Sequence, residues 1–157
     1  MQLQIDWSEP LTMRLDRRHS PVFSVDLELL PTGPGIYVFA RRWGKTSFEA
    51  LYVGKATRAR SRVKQQLNNL KLMQHVREAR AGRRILFVGT LVTKPGQQVD
   101  RCLPIVERAF IRYFLSEGCD LVNVQGARLR QHEVASLNAP KSFVPKLMFV
   151  DRSRPRR

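Results

Sequence analysis

The sequence predicts an α+β fold, and three observations carry that expectation. Two short runs of aromatic, aliphatic and β-branched residues, Val38–Phe39 and Leu51–Val53, flank a segment holding Gly44, Lys45, Thr46 and Ser47, the pattern of a hairpin. Apolar residues recur at helical spacing in Ala59, Val63, Leu67 and Leu70, and again in Leu103, Val106, Phe110, Ile111 and Phe114. Between these two stretches lies ILFVGTLV, Ile85–Val92, a nearly continuous apolar run that reads as the buried central strand of a small sheet.

Taken in order, residues 1–30 read as an N-terminal extension. LQIDW can form a strand and DLELL is a second apolar patch, but Ser8, Glu9, Pro10 and then Arg17–Pro21 break any long periodicity. The prolines of LPTGPGIY, Leu30–Tyr37, force an extended or turning entry into the first hairpin strand. Gly54 ends the second strand, and Thr57 can cap a helix running to Asn69. Asn68–Ala81 continues helically, with Leu72, Val76 and Ala79 inward, until Gly82 stops it. The last helix spans Leu103–Glu117, with Pro104 in its first turn and Gly118 at its end. From residue 126 onward the chain is a basic C-terminal extension with one apolar stretch, FVPKLMFV, and a tail, DRSRPRR, too charged to pack.

A chain of 157 residues suits one domain with extensions. Its 28 Lys and Arg outnumber 13 Asp and Glu, leaving a formal charge of +15 that attracts a polyanion, because each neutralised phosphate releases condensed counterions. No run approaches the ~18 apolar residues of a membrane span, and the polar start MQLQIDWSEP does not suit a secretory signal. A soluble, cytoplasmic chain without a membrane partner is expected. Two cysteines and three histidines have neither zinc-ligand spacing nor a disulfide framework, and no Walker loop or dinucleotide fingerprint is present.

Gly35, Ile36 and Tyr37 read GIY; Tyr52, Val53 and Gly54 read YVG; and Arg62 follows Tyr52 by ten residues. Over about residues 30–125 the chain resembles the GIY-YIG nuclease domain, which divides it into an extension at 1–30, the nuclease-like domain at 31–125 and an extension at 126–157. The resemblance implies a small three-stranded mixed sheet flanked by helices. It also implies a divalent-metal-dependent endonuclease that hydrolyses DNA, leaving a 5′-phosphate and a 3′-hydroxyl. In that reading Tyr37 is the general base or water-positioner, Tyr52 orients the nucleophile or binds phosphate, and Lys55 supplies nearby positive charge. Arg62 faces the non-bridging oxygens, Glu107 holds one Mg²⁺ or Mn²⁺, and Asn123 supports the tyrosine and the end of the sheet.

The residues can also be read without the family. Glu107 falls inside an apolar helical stripe, where an unpaired carboxylate costs on the order of several kcal/mol; a cation or an ion pair with a nearby arginine would offset that. Arg62 taken singly is a solvated arginine. Arg41, Arg42, Trp43 and Lys45 crowd the hairpin tip, where they contact nucleic acid or Trp43 covers the core; Arg58 and Arg60 extend the nucleic-acid-binding set along the helix. Two features depart from the family. Fourteen residues separate the tyrosines where about ten are common, which predicts a longer hairpin loop, and Gln66 stands where a histidine or tyrosine is usual and cannot hold a proton in transit. DNA is the expected partner, with RNA and a homodimer left open. Little room remains for a recognition domain, which points to structure-selective or weakly specific cleavage. A nucleic-acid-binding module without turnover, and a nuclease serving as a toxin or defence effector, are the alternatives.

Overall fold

The hairpin is longer than its motifs. β5 (Gly35–Trp43) and β6 (Ser47–Ala56) pair antiparallel along their whole length and are joined by Gly44, Lys45 and Thr46 alone. The predicted long loop is therefore corrected: the extra residues between the tyrosines continue the strands. Phe39 faces Tyr52 while Ala40 faces Ala50, so Leu51 is a surplus residue absorbed as a bulge.

Residues 1–15, 23–122, 131–138, 140 and 147–151 are described by this computed structural model of the chain. β7 (Arg83–Val92) pairs antiparallel with β5, and β1 (Gln4–Trp7) and β2 (Leu11–Thr12) pair antiparallel with the other edge of β7. The expected three-stranded mixed sheet is thus a five-stranded one, in the order β1-β7-β5-β6 with β2 also on β7, and its pairings are antiparallel. β6 and β7 do run in the same direction, but β5 lies between them. The N-terminal residues join because Gly89 leaves space: a Cβ there would lie 2.4 Å from Ile5 Cγ2 and 3.0 Å from the Trp7 ring. β3 (Arg14–Leu15) pairs with β4 (Phe23–Ser24), and a 3-10 turn, Leu27–Leu29, follows. In the C-terminal extension β8 (Gln131–Ala135) and β9 (Leu147–Asp151) form a hairpin that the sequence did not suggest; residues 152–157 lie outside the described ones.

Strand alternation divides the core. Tyr37, Phe39, Leu86 and Val88 face α1 (Ala59–Leu67) and α2 (Leu70–Glu78), whereas Ile36, Val38, Ala40 and Leu91 face α3 (Val99–Ser116). The helix expected to run on through Asn68 is broken, because Asn69 caps α2 by accepting from the Leu72 amide at 3.2 Å. Thr57 is not the cap of α1. Arg58 occupies that position without a side-chain bond, and the first amides donate to the entry segment instead, Ala59 to Gly33 O and Arg60 to Pro31 O. α3 begins at Val99, so Pro104 lies inside the helix rather than in its first turn. Among the described residues no helix is long and apolar enough to cross a membrane.

The end of α2 depends on one arginine. Arg84 on β7 donates to five carbonyls: Val76 at 2.6 Å, Ala79 at 2.7 Å, Gly82 at 2.8 Å, Arg80 at 3.1 Å and Arg77 at 3.2 Å. Those of Val76, Arg77 and Ala79 are among the carbonyls that a helix C-terminus leaves without partners, and those of Arg80 and Gly82 belong to the turn that follows. Arg84→Met keeps the apolar stem and strands them, so urea unfolding should show a loss of about 3 kcal/mol; a change below about 0.5 kcal/mol would show that water substitutes fully for the guanidinium.

Candidate active site

Tyr37 lies on the α1–α2 face of β5 and is fully buried. It stands directly across from Gly54, and a Cβ at 54 would come within 2.3 Å of both Cζ and Oη of Tyr37. Gly54 therefore does not end the strand, as its sequence context suggested; β6 continues to Ala56, and the glycine makes room for the phenol ring. Tyr52, two residues earlier on β6, is half-buried and stacks on Tyr37 with ring centroids 6.0 Å apart and planes 29° apart.

Gln66 of α1 joins the two hydroxyls. Its Nε2 donates to Tyr37 Oη at 3.0 Å and to Tyr52 Oη at 3.1 Å, and its Oε1 accepts from Asn69 Nδ2 at 3.0 Å. The buried amide thus has both ends satisfied, as burial demands. Tyr52 is held well above the ordinary phenol range, first by burial and then by the adjacent Tyr37 phenol; Glu107 adds to the rise and Arg62 opposes it. At neutral pH Tyr52 is accordingly a neutral hydroxyl.

A cleft of about 510 Å³, lined by neither tyrosine, opens between the end of β6, the start of α1 and the first turns of α3. Lys55, Arg58, Ser61 and Arg62 line one side, and Asp100 and Leu103 the other. Lys55 Nζ meets Glu107 Oε2 at 2.5 Å, joining sheet to helix, and the Glu107 side chain keeps 22% exposure. The carboxylate in the apolar stripe is thus paired, and its partner is a strand lysine rather than an arginine. Arg62 is exposed and donates from Nη1 to Gln65 Oε1 at 3.1 Å.

The proposed nucleic-acid contacts do not stay together. Arg41 is buried, because β5 continues through it toward the α2–β7 turn: its Nε pairs with Glu49 Oε2 at 2.7 Å, its Nη1 donates to Ala81 O at 3.0 Å, and Trp43 lies 4.1 Å from the guanidinium. That also answers the open reading of Trp43, which shields an arginine. Arg60 is held by the chain before the hairpin, donating to Leu30 O at 2.7 and 3.1 Å and to Glu28 O at 3.1 Å. Arg42 and Lys45 are exposed at the tip, roughly 20–25 Å along the hairpin from Lys55 at about 3.3 Å per residue. Arg58 alone of this set lines the cleft. Asn123 lies outside the described residues.

No protein-family model, curated protein or solved structure matches the chain.

Sequence reading missed Asp100 at the cleft and the pairing of Gln66 with both hydroxyls. An asparagine just before Leu70 and Leu72 was the available signal for a new helix start, and hence for a side chain placed to hold Gln66. Among the described residues no three Asp, Glu, His or Cys converge as a metal cage. A single partly exposed carboxylate, Glu107, paired with the cleft-lining Lys55, would suit a hard cation that keeps most of its water.

Two expectations follow. Gly54→Ala should force the Tyr37 ring aside and cost about 1–3 kcal/mol in urea unfolding; an unchanged midpoint would mean that the ring has another place to go. Tyr52 titrates higher folded than unfolded, so its contribution to stability is complete below the unfolded value of about pH 10 and is lost as pH rises toward the folded value. Tyr52→Phe should therefore flatten the fall of stability above about pH 10, measured by denaturant titrations at several alkaline pH values.

Proposed function

We propose that this chain is a divalent-metal-dependent endonuclease acting on DNA, with the GIY-YIG type of site that its sequence resembles. The observation that supports this reading is a cleft lined by Lys55, Arg58 and Arg62, with Glu107 paired to Lys55 and both tyrosine hydroxyls bonded to Gln66 of α1, the helix whose start lines that cleft. A phosphodiester needs positive charge at its non-bridging oxygens and an oriented nucleophile. Arg62 and Arg58 line the cleft where the phosphate would bind, and the neutral Tyr52 hydroxyl can donate to a phosphate oxygen or orient water. Tyr37, fully buried, supports Tyr52 through Gln66 rather than reaching the cleft itself. Lys55 holds the Glu107 carboxylate, which would be the ligand of a bound cation. An Mg²⁺ or Mn²⁺ ion held there supplies charge stabilisation for the leaving oxygen.

The Lys55–Glu107 pair and Gln66 are also what a binding module without turnover would show, since both replace reactive arrangements by satisfied ones. One assay separates the readings. Purified chain is incubated with single-stranded, duplex and branched DNA and with RNA, with Mg²⁺, Mn²⁺ or EDTA, beside Glu107→Gln. Cleavage that needs the metal and falls by about 100-fold or more in the variant supports the nuclease. Salt-sensitive binding without cutting supports the module, and undiminished cutting by Glu107→Gln removes Glu107 as the metal ligand.

A further inference from the structure

Asn69 does two things at once. Its side-chain oxygen caps α2 by accepting from the Leu72 amide, and its side-chain nitrogen donates to Gln66 Oε1. A helix cap must accept, so the Asn69 amide has one orientation. Gln66 inherits the consequence. With Oε1 turned to Asn69, its nitrogen faces the hydroxyls, and one N–H is available for each, at 3.0 and 3.1 Å. The direction of a buried amide is decided by such neighbours, since its own shape does not distinguish the two ends.

Resting on the reading of this cluster as an active site, we propose that Asn69 and Gln66 are positioning residues. The cap of α2 dictates that both phenol oxygens accept from Gln66, and that polarity prepares the pair to hold an oxyanion. Glutamine cannot carry a proton between groups, but a fixed N–H donor stabilises a phenolate as it forms. The charged and titratable groups acting on Tyr52 are Arg62 from α1, Glu107 from α3 and Tyr37 from β5; of these only Arg62 favours ionisation. Gln66 is the neutral donor that reaches both rings, and it works in the buried position where a charge would be costly.

The test reverses the amide while keeping the helix. Asn69→Asp retains the cap but can only accept, so Gln66 must turn its nitrogen toward residue 69 and present its carbonyl to the phenols. Asn69→Gly also keeps most of the capping preference and frees Gln66 without adding charge. The full chain has three tyrosines, and Tyr113, 55% exposed, serves as the internal reference in an absorbance titration of tyrosinate. Melting curves check that both variants stay folded. The expected result is a rise of about one unit in the buried tyrosine transition for Asn69→Asp, a smaller rise for Asn69→Gly, and a matching loss of cleavage of about tenfold or more with the alkaline limb of its pH profile displaced. Unmoved tyrosine transitions in both variants overturn the proposal, as does a rise in Asn69→Asp alone, which charge would explain. If the transitions move as expected and the unaltered chain cuts no nucleic acid, the polarity stands and the nuclease reading fails.

Discussion

Hairpin register is the constraint on which the candidate site depends. Tyr37 can occupy the core only because the residue facing it is Gly54, and Tyr52 meets the same Gln66 only because it lies two residues from that glycine on the same face of β6. A slip of β6 by one residue would send Tyr52 to the α3 side and set a side chain in place of Gly54 against the Tyr37 ring. That would leave one N–H of the buried Gln66 amide without its acceptor, a loss that the apolar α3 face could not make good. Packing, hydrogen bonding and register therefore enforce one another, and the cleft takes its shape from them.

Charge is used in two different ways. Arg41, Arg60 and Arg84 direct their guanidinium groups at backbone carbonyls, tying the hairpin, the entry segment and the end of α2 into place. Burial and the proximity of Arg41 lower the Arg84 pKa, yet an arginine still stays charged near neutral pH. These residues act as mortar rather than as an anion-binding surface, so a formal charge of +15 overstates what the chain presents to a polyanion. Arg58, Arg62 and Lys55 form the local field that matters at the cleft, where Asp100 and Glu107 temper it.

Much of this was legible from the residues, and the failures share a cause. The α+β class, the hairpin, the α3 stripe and the buried strand at Ile85 were read correctly because each repeats its period over enough residues. The two-residue β2 and the short β1, interrupted by Ser8, Glu9 and Pro10, are too brief to show a period; pairing with β7 makes them strands. Arg41 and Arg60 look like surface charge in sequence, because an arginine bonded to a distant carbonyl has no local signature. Lys55 and Glu107 are fifty-two residues apart, and only the packing of α3 against β6 brings them together. The break at Asn69 was visible as a capping residue but lost to the helical periodicity on either side.

The bulge at Leu51 resets the alternation of β6 part-way along the hairpin. On the side of Tyr52 and Gly54 the alternation is locked to the core, whereas beyond Ala50 it is counted afresh toward Trp43 and Ser47. A local excess of one residue ends where it is absorbed. Past the last β5–β7 pair at Arg42, the exposed tip from Trp43 to Ser47 can therefore drift in length and composition, or accept a grafted peptide, while the phenols keep their places, much as a splice lets one end of a rope be replaced without disturbing the other.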